Sequence, residues 1–194
     1  MNIGEITERR LVRRFAVACQ VFFLVLMMGC ASTPPRQNVL ITNTSPAAYF
    51  SLAGRLSVRV NDRLDVGNIK WSRTAGEERL GIYTPFGSQV AELVKTADGV
   101  RLRKGDEILT AATVGELTVA LLGVALDIDQ VAAWVQSVGL IADQPREMPL
   151  PDGSTWQVTA SALRESGSHV FASRLSAIKE DTVIKLVVDE WRPL

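Results

Sequence analysis

Apolar and polar positions alternate from Tyr49 onward. Phe50, Leu52, Gly54, Leu56, Val58 and Val60 fall on one face, with Ser51, Arg55, Ser57 and Arg59 on the other. Period two over this length predicts a long strand with one buried face. Asn61-Asp62-Arg63 turns the chain into Val66–Ser72 (VGNIKWS), a second strand with Ile69 and Trp71 on one side. Ala75-Gly76-Glu77 turns again into Leu80–Lys95, which reads as two strands around a short turn. Asp98-Gly99 is a tight hairpin signal, followed by strands over Val100–Arg103 and Glu107–Ala111. The first half is therefore a meander of about six antiparallel strands.

The third turn is unusual. In Thr84-Pro85-Phe86-Gly87-Ser88, Pro85 suits the second position of a type I turn and Gly87 the fourth, which leaves Phe86 in the third. Asn, Asp, Ser or Gly normally occupies such an apex. A large aromatic there either folds back onto its own protein or stands out as an apolar probe for another apolar surface.

In the middle of the chain the period lengthens. Val114, Leu117, Leu121 and Leu122 share a helical stripe, with Thr113 as N-cap and Gly123 as the stop. A second helix, capped by Asp127 or Asp129, runs through Val138 with Val131, Trp134, Val135 and Val138 on one face and Gly139 ending it. After a loop with Pro145, Pro149 and Pro151, strands resume over Thr155–Ala162, Val170–Ile178 and Val183–Trp191. Nine or ten strands with a helical pair predict a mainly β single domain over residues 49–194. Its expected form is a partly open antiparallel β-barrel, a half-barrel, covered by a helical lid that encloses an apolar cavity. From the period alone, the cavity lining comprises Leu56, Val58, Trp71, Leu80, Ile82, Leu121, Trp134 and Leu186.

The N-terminus carries an address. Arg9, Arg10, Arg13 and Arg14 precede the apolar run Phe15–Met28, which suits a secretory leader over residues 1–29 and is short for a membrane-spanning helix. It ends in Leu26-Met27-Met28-Gly29-Cys30, which resembles the bacterial lipoprotein box and marks Cys30 for lipidation. Residues 30–48, rich in Ser, Thr, Asn and Pro, read as the lipidated start and a flexible tether. Cys19 lies in the leader, so the mature domain has no disulfide and is held by its core alone. Ala31 after the cysteine resembles lipoproteins sorted to the outer membrane.

Charge and chemistry narrow the function. Of 21 basic and 21 acidic residues, four Arg and two Glu fall in the leader, leaving 17 against 19 over residues 30–194. That balance argues against nucleic acid and against electrostatic docking to anionic lipid. The single histidine, His169, has no cysteine partner, and no nucleophile elbow, phosphate-binding loop or metal spacing occurs. Asp127 and Asp129 suit helix capping better than a carboxylate pair, and Glu107 and Glu116 have no evident partner. No catalytic residue, metal or cofactor is expected, and any transfer must run downhill in affinity.

Several stretches together resemble the LolB family of outer-membrane lipoproteins. They are Phe50-x-x-x-Gly54-Arg55-Leu56-Ser57, Trp71, Leu80-x-Ile82-x-Thr84-Pro85-Phe86-Gly87, Leu117 to Gly123, Trp134, Trp156-x-Val158 and Lys185-Leu186-x-Val188-x-x-Trp191. Two departures fall in the helical part: Gly123-Val124-Ala125-Leu126-Asp127 lacks the family's proline, and Gly139 comes five residues past Trp134. The resemblance implies a monomer that takes lipoproteins from a LolA-like periplasmic carrier, houses their acyl chains, and places them among outer-membrane phospholipids. It also implies that Pro85, Phe86 and Gly87 form a protruding membrane-insertion loop. Two rivals come from other classes: a structural lipoprotein of an outer-membrane assembly complex with no cavity, and a lipoprotein hydrolase.

Overall fold

The computed structural model describes residues 46–150 and 153–194, so the expected leader and Cys30 lie outside the described residues. The elements in chain order are β1 (Phe50–Val60), β2 (Arg63–Arg73), β3 (Glu78–Tyr83), β4 (Gln89–Thr96), β5 (Gly99–Lys104) and β6 (Glu107–Ala111). There follow α1 (Val114–Leu122), α2 (Ile128–Val135), β7 (Arg146–Pro149), β8 (Thr155–Ser166), β9 (His169–Lys179) and β10 (Thr182–Pro193). All ten strands form one antiparallel sheet in the order β6-β5-β4-β3-β2-β1-β10-β9-β8-β7. Each hairpin pairs with its neighbour in sequence, and the single long-range step returns β10 to β1. Strands β6 and β7 are the two edges, so the sheet is open.

Helix α1 begins where Thr113 accepts from the Glu116 amide at 3.2 Å, while Glu116 reaches back to the Ala112 amide at 3.1 Å. This is a capping-box arrangement, and it supplies the partner that Glu116 lacked in the sequence. Gly123 ends the helix in the left-handed conformation, φ 75°. Asp127, not Asp129, caps α2, accepting from the Asp129 amide at 2.8 Å.

Two expectations need correction. Helix α2 stops at Val135 rather than Val138, because Ser137 already turns left-handed at φ 58°, two residues before Gly139. The Pro145–Pro151 stretch contains a strand, β7. A proline is tolerated there because an edge strand has one side with no partner to receive an N–H.

The sheet must curl. On a flat sheet β4 and β8 would stand about 29 Å apart, six strand spacings. Helix α2 is only about 12 Å long. Yet its Asp129 reaches Lys95 of β4 at 2.8 Å while the helix packs on β8 and β9. Helix α1 lies against β6. The helical segment thus covers the inner face of a half-barrel.

A bulge in β10 sets what that inner face carries. Against β1, Ala53 pairs with Glu190 but Gly54 pairs with Val188, so Asp189 is the extra residue. The offset brings both Val188 and Trp191 into the core and leaves Asp189 and Glu190 exposed. The approach is so close that a Cβ on Gly54 would overlap the carbonyl oxygen of Val187. Gly54→Ala should therefore cost about 2 kcal/mol, as overpacking does. A urea midpoint unchanged from the parent would contradict this.

Candidate functional site

The inner face is built row by row. Pairing places Trp191, Leu52, Trp71, Leu80, Leu93, Leu102 and Leu109 side by side across seven strands. All belong to the apolar core or pack against it. Of the lining residues expected from the period, Val58, Trp71, Trp134 and Leu186 are buried in this core, and Leu56, Leu80 and Ile82 pack partly buried against it. Leu121 lies elsewhere. The buried described side chains of α1 are Val114 and Leu117 in its first turn, whereas Leu121 remains 39% exposed beside Val119.

The next row outward changes from apolar to ionic. Phe50, Arg73, Glu78, Lys95 and Val100 stand side by side, with the Arg73 guanidinium 5.4 Å from the Phe50 ring centre. The buried Glu78 carboxylate accepts from Trp71 Nε1 at 2.8 Å, Arg73 Nε at 2.9 Å and Arg73 Nη2 at 2.7 Å. Arg73 Nη2 and Lys95 Nζ also hold Asp129 at the start of α2, at 2.7 and 2.8 Å. The ion pairs thus fasten the lid helix to β2 and β4, with Glu78 of β3 buried between their two cations. Sequence reasoning passed over Glu78, although period two puts it on the face of Leu80 and Ile82.

Burial pushes the Asp129 carboxyl up, but the hydrogen bond and charge of Lys95 and the charge of Arg73 outweigh it and hold the pKa below the ordinary value. A depressed folded pKa means stabilisation that is present above the unfolded pKa, near 4, and lost as pH falls through the folded one. Asp129 is more than half exposed, so screening limits the whole contribution to about 1 kcal/mol. Asp129→Asn should lower the melting temperature by a few degrees at pH 7. The gap between the two melting curves should narrow as the pH falls below the unfolded pKa, and a gap that stayed constant into acid would contradict the assignment.

At the other end of β3 stands the aromatic turn. The Gly87 amide donates to the Thr84 carbonyl at 3.0 Å, which closes a β-turn with Pro85 and Phe86 at its centre. The Thr84 amide donates to the Ser88 carbonyl at 2.8 Å, and Thr84 Oγ1 accepts from the Ser88 amide at 3.2 Å. Gly87 takes φ 87°, which a side chain would disfavour. This fixed loop holds Phe86 96% exposed. The ring therefore does not fold back onto its own protein.

The opposite face of the sheet is polar. A groove of about 330 Å³ there is lined by Lys70, Ser72, Arg79, Gly81, Tyr83, Glu92, Glu190 and Arg192, among others. Arg79 bridges Glu77 and Glu92, and its hydrogen bond holds the Glu92 carboxyl below its ordinary pKa. Within the core, the ring nitrogens of Trp156 and Trp191 and the Ser137 hydroxyl have no hydrogen-bond partner. Among the described residues, no group of three or more His, Cys, Asp or Glu could hold a metal. His169 is half-buried at the start of β9, its ring 5.7 Å from that of Trp191.

Comparison with known proteins finds relatives over most of the chain. A lipoprotein of Azoarcus named outer-membrane lipoprotein LolB is 24% identical over 192 residues, covering 95% of this chain and 99% of the relative. A namesake from Thiobacillus denitrificans is 27% identical, covering 93% and 98%. A solved LolA superfamily protein from Nitrosomonas europaea superposes with a TM-score of 0.48 at 8% identity, over 76% of this chain and 86% of its own. The family model described as outer membrane lipoprotein LolB matches residues 48–191, and the chain belongs to that family.

Proposed function

We propose that this protein takes lipoproteins from a LolA-like periplasmic carrier, holds their acyl chains against its inner face, and releases them into the outer membrane. The observation that carries this reading is a fixed turn presenting Phe86 to the outside, on a half-barrel whose inner face is apolar and covered by a lid helix. The leader and Cys30 would anchor the protein in the outer membrane, facing the periplasm, and residues 30–48 would tether a monomeric domain. The curled sheet, its helical cover and residues Leu56, Val58, Trp71, Leu80, Ile82, Trp134 and Leu186 would receive the chains. Leu121 would contribute only if the last turn of α1 swung inward.

Hand-over needs no nucleotide in this mechanism. Each buried methylene is worth about 0.8 kcal/mol, so a difference of a few methylenes between carrier, this cavity and the bilayer drives each step. The protein acts as a receiver rather than an enzyme. Outer-membrane phospholipid is the final acceptor, and Pro85 and Gly87 hold Phe86 where it meets that surface.

The test is direct. Mixing the protein with lipoprotein-loaded carrier should move cargo onto it without ATP, and a fluorescent fatty-acid probe should bind saturably with a defined stoichiometry. Cargo that stays on the carrier, together with absent probe binding, would favour a structural lipoprotein without a cavity.

A further inference from the structure

We propose that Trp191 and His169 form a subsite for the carbonyl group of an acyl ester, so that a ligand is held by its ester as well as by its hydrocarbon. Trp191 is 3% exposed and sits in an aromatic cluster, its ring stacked 5.5 Å from Phe171 and 6.4 Å from Phe50. Its indole N–H has no acceptor, and His169 Nδ1, also buried, has no partner. The two rings are 5.7 Å apart, edge to face. An indole N–H can only donate, and a buried donor left unmade is unfavourable.

The surroundings narrow the acceptor. The side chains of Phe50, Phe171 and Leu52 offer no oxygen, so the group comes from outside these side chains, and a ligand that tolerates an apolar site can bring it. An ester carbonyl is an uncharged acceptor with two lone pairs, able to serve both rings in the Nδ1–H tautomer of His169. An ionised carboxylate would have to shed its hydration shell to enter.

Position supports the same choice. His169 is half-buried at the start of β9 while Trp191 lies beneath it, so the pair marks the border of the apolar interior. That border is where the polar junction of an acyl chain would stop. Trp156 also lacks a partner but is fully sealed at 0% exposure. The bulge at Asp189 is what turns Trp191 inward, and Gly54 permits it.

This subsite rests on the acyl-chain reading above, and the test separates the two. Two diacylglyceryl-cysteine peptides, alike except for ester or ether linkages, are titrated against the intact protein. Short-chain ester and ether phosphatidylglycerols form a second pair. The ester peptide should bind roughly three- to tenfold more tightly than its ether twin, the effect of one net hydrogen bond. Trp191→Phe, which keeps an aromatic ring and removes the donor, should abolish that preference, bringing the ester-to-ether affinity ratio to about one. If that variant fails to fold, the infrared stretch of a ¹³C-labelled ester on the unaltered protein gives the answer, since a bonded carbonyl absorbs at lower frequency. Ester preference in the peptide pair alone identifies a cargo subsite; preference in both pairs identifies a general acyl-ester subsite. Equal binding of ester and ether would overturn the subsite and assign the two ring nitrogens to buried water. Binding of neither would overturn the acyl-chain reading itself.

Discussion

Phe86→Glu should fold normally and accept cargo normally, yet deliver it to liposomes at least about tenfold more slowly. A side chain 96% exposed makes almost no contact with its own protein, so the substitution should change stability by no more than about 0.5 kcal/mol. Burying a phenyl ring in an apolar phase is worth about 1.5–3 kcal/mol. Each 1.4 kcal/mol is a factor of ten, and a carboxylate adds its own penalty for entering lipid. On the proposed function uptake uses the apolar inner face, and the Phe86 side chain, exposed to solvent, is not part of that core. The measurement is a two-stage assay: transfer from loaded carrier, then release into vesicles. Phe86→Leu keeps the apolar probe and should deliver at close to the parent rate. Normal delivery by the Glu variant would remove the membrane role from this loop.

Glu78→Leu should be the most destabilising change at the rim, by about 3 kcal/mol in chemical denaturation. Breaking a buried ion pair on one side leaves the other charge without its partner. Here Arg73 would keep only the exposed Asp129, and the Trp71 indole would lose its acceptor. Glu78→Gln retains an oxygen for Trp71 while removing the charge, so it should lose less. Asp129→Asn, exposed and screened, should lose least. That order follows burial, and a Glu78→Leu loss below about 1 kcal/mol would show that the network is held chiefly by its neighbours' packing.

Much of the fold was legible because its signals are local. Alternation marked the strands, Asp98-Gly99 a hairpin, and Thr113 with Gly123 the bounds of α1, since each depends on residues a few positions apart. Strand lengths were less legible. Leu64 and Val66 face away from the core and break the expected pattern at the start of β2, yet ladder pairing with β1 holds them extended. The lining residues follow the same division. Those on strands lie in the core or pack against it, as period two placed them, whereas Leu121 was assigned to an inner stripe that α1 does not bury along its length.

By itself, the sequence determined the kind of object to expect: a candidate leader and lipidation site, a balanced surface, an alternating meander, and an aromatic at a turn apex. Only the tertiary structure decided how the sheet ends meet their cover and what faces inward. Strand β10 pairs with β1 across some 130 residues of chain, and the bulge between them chooses the side on which Trp191 appears. The same long-range closure brings Asp129 to Arg73 and Lys95. A local pattern records which face of a segment is apolar, but not which distant segment will meet it. That choice belongs to packing, where a one-residue offset sends a side chain to the opposite face.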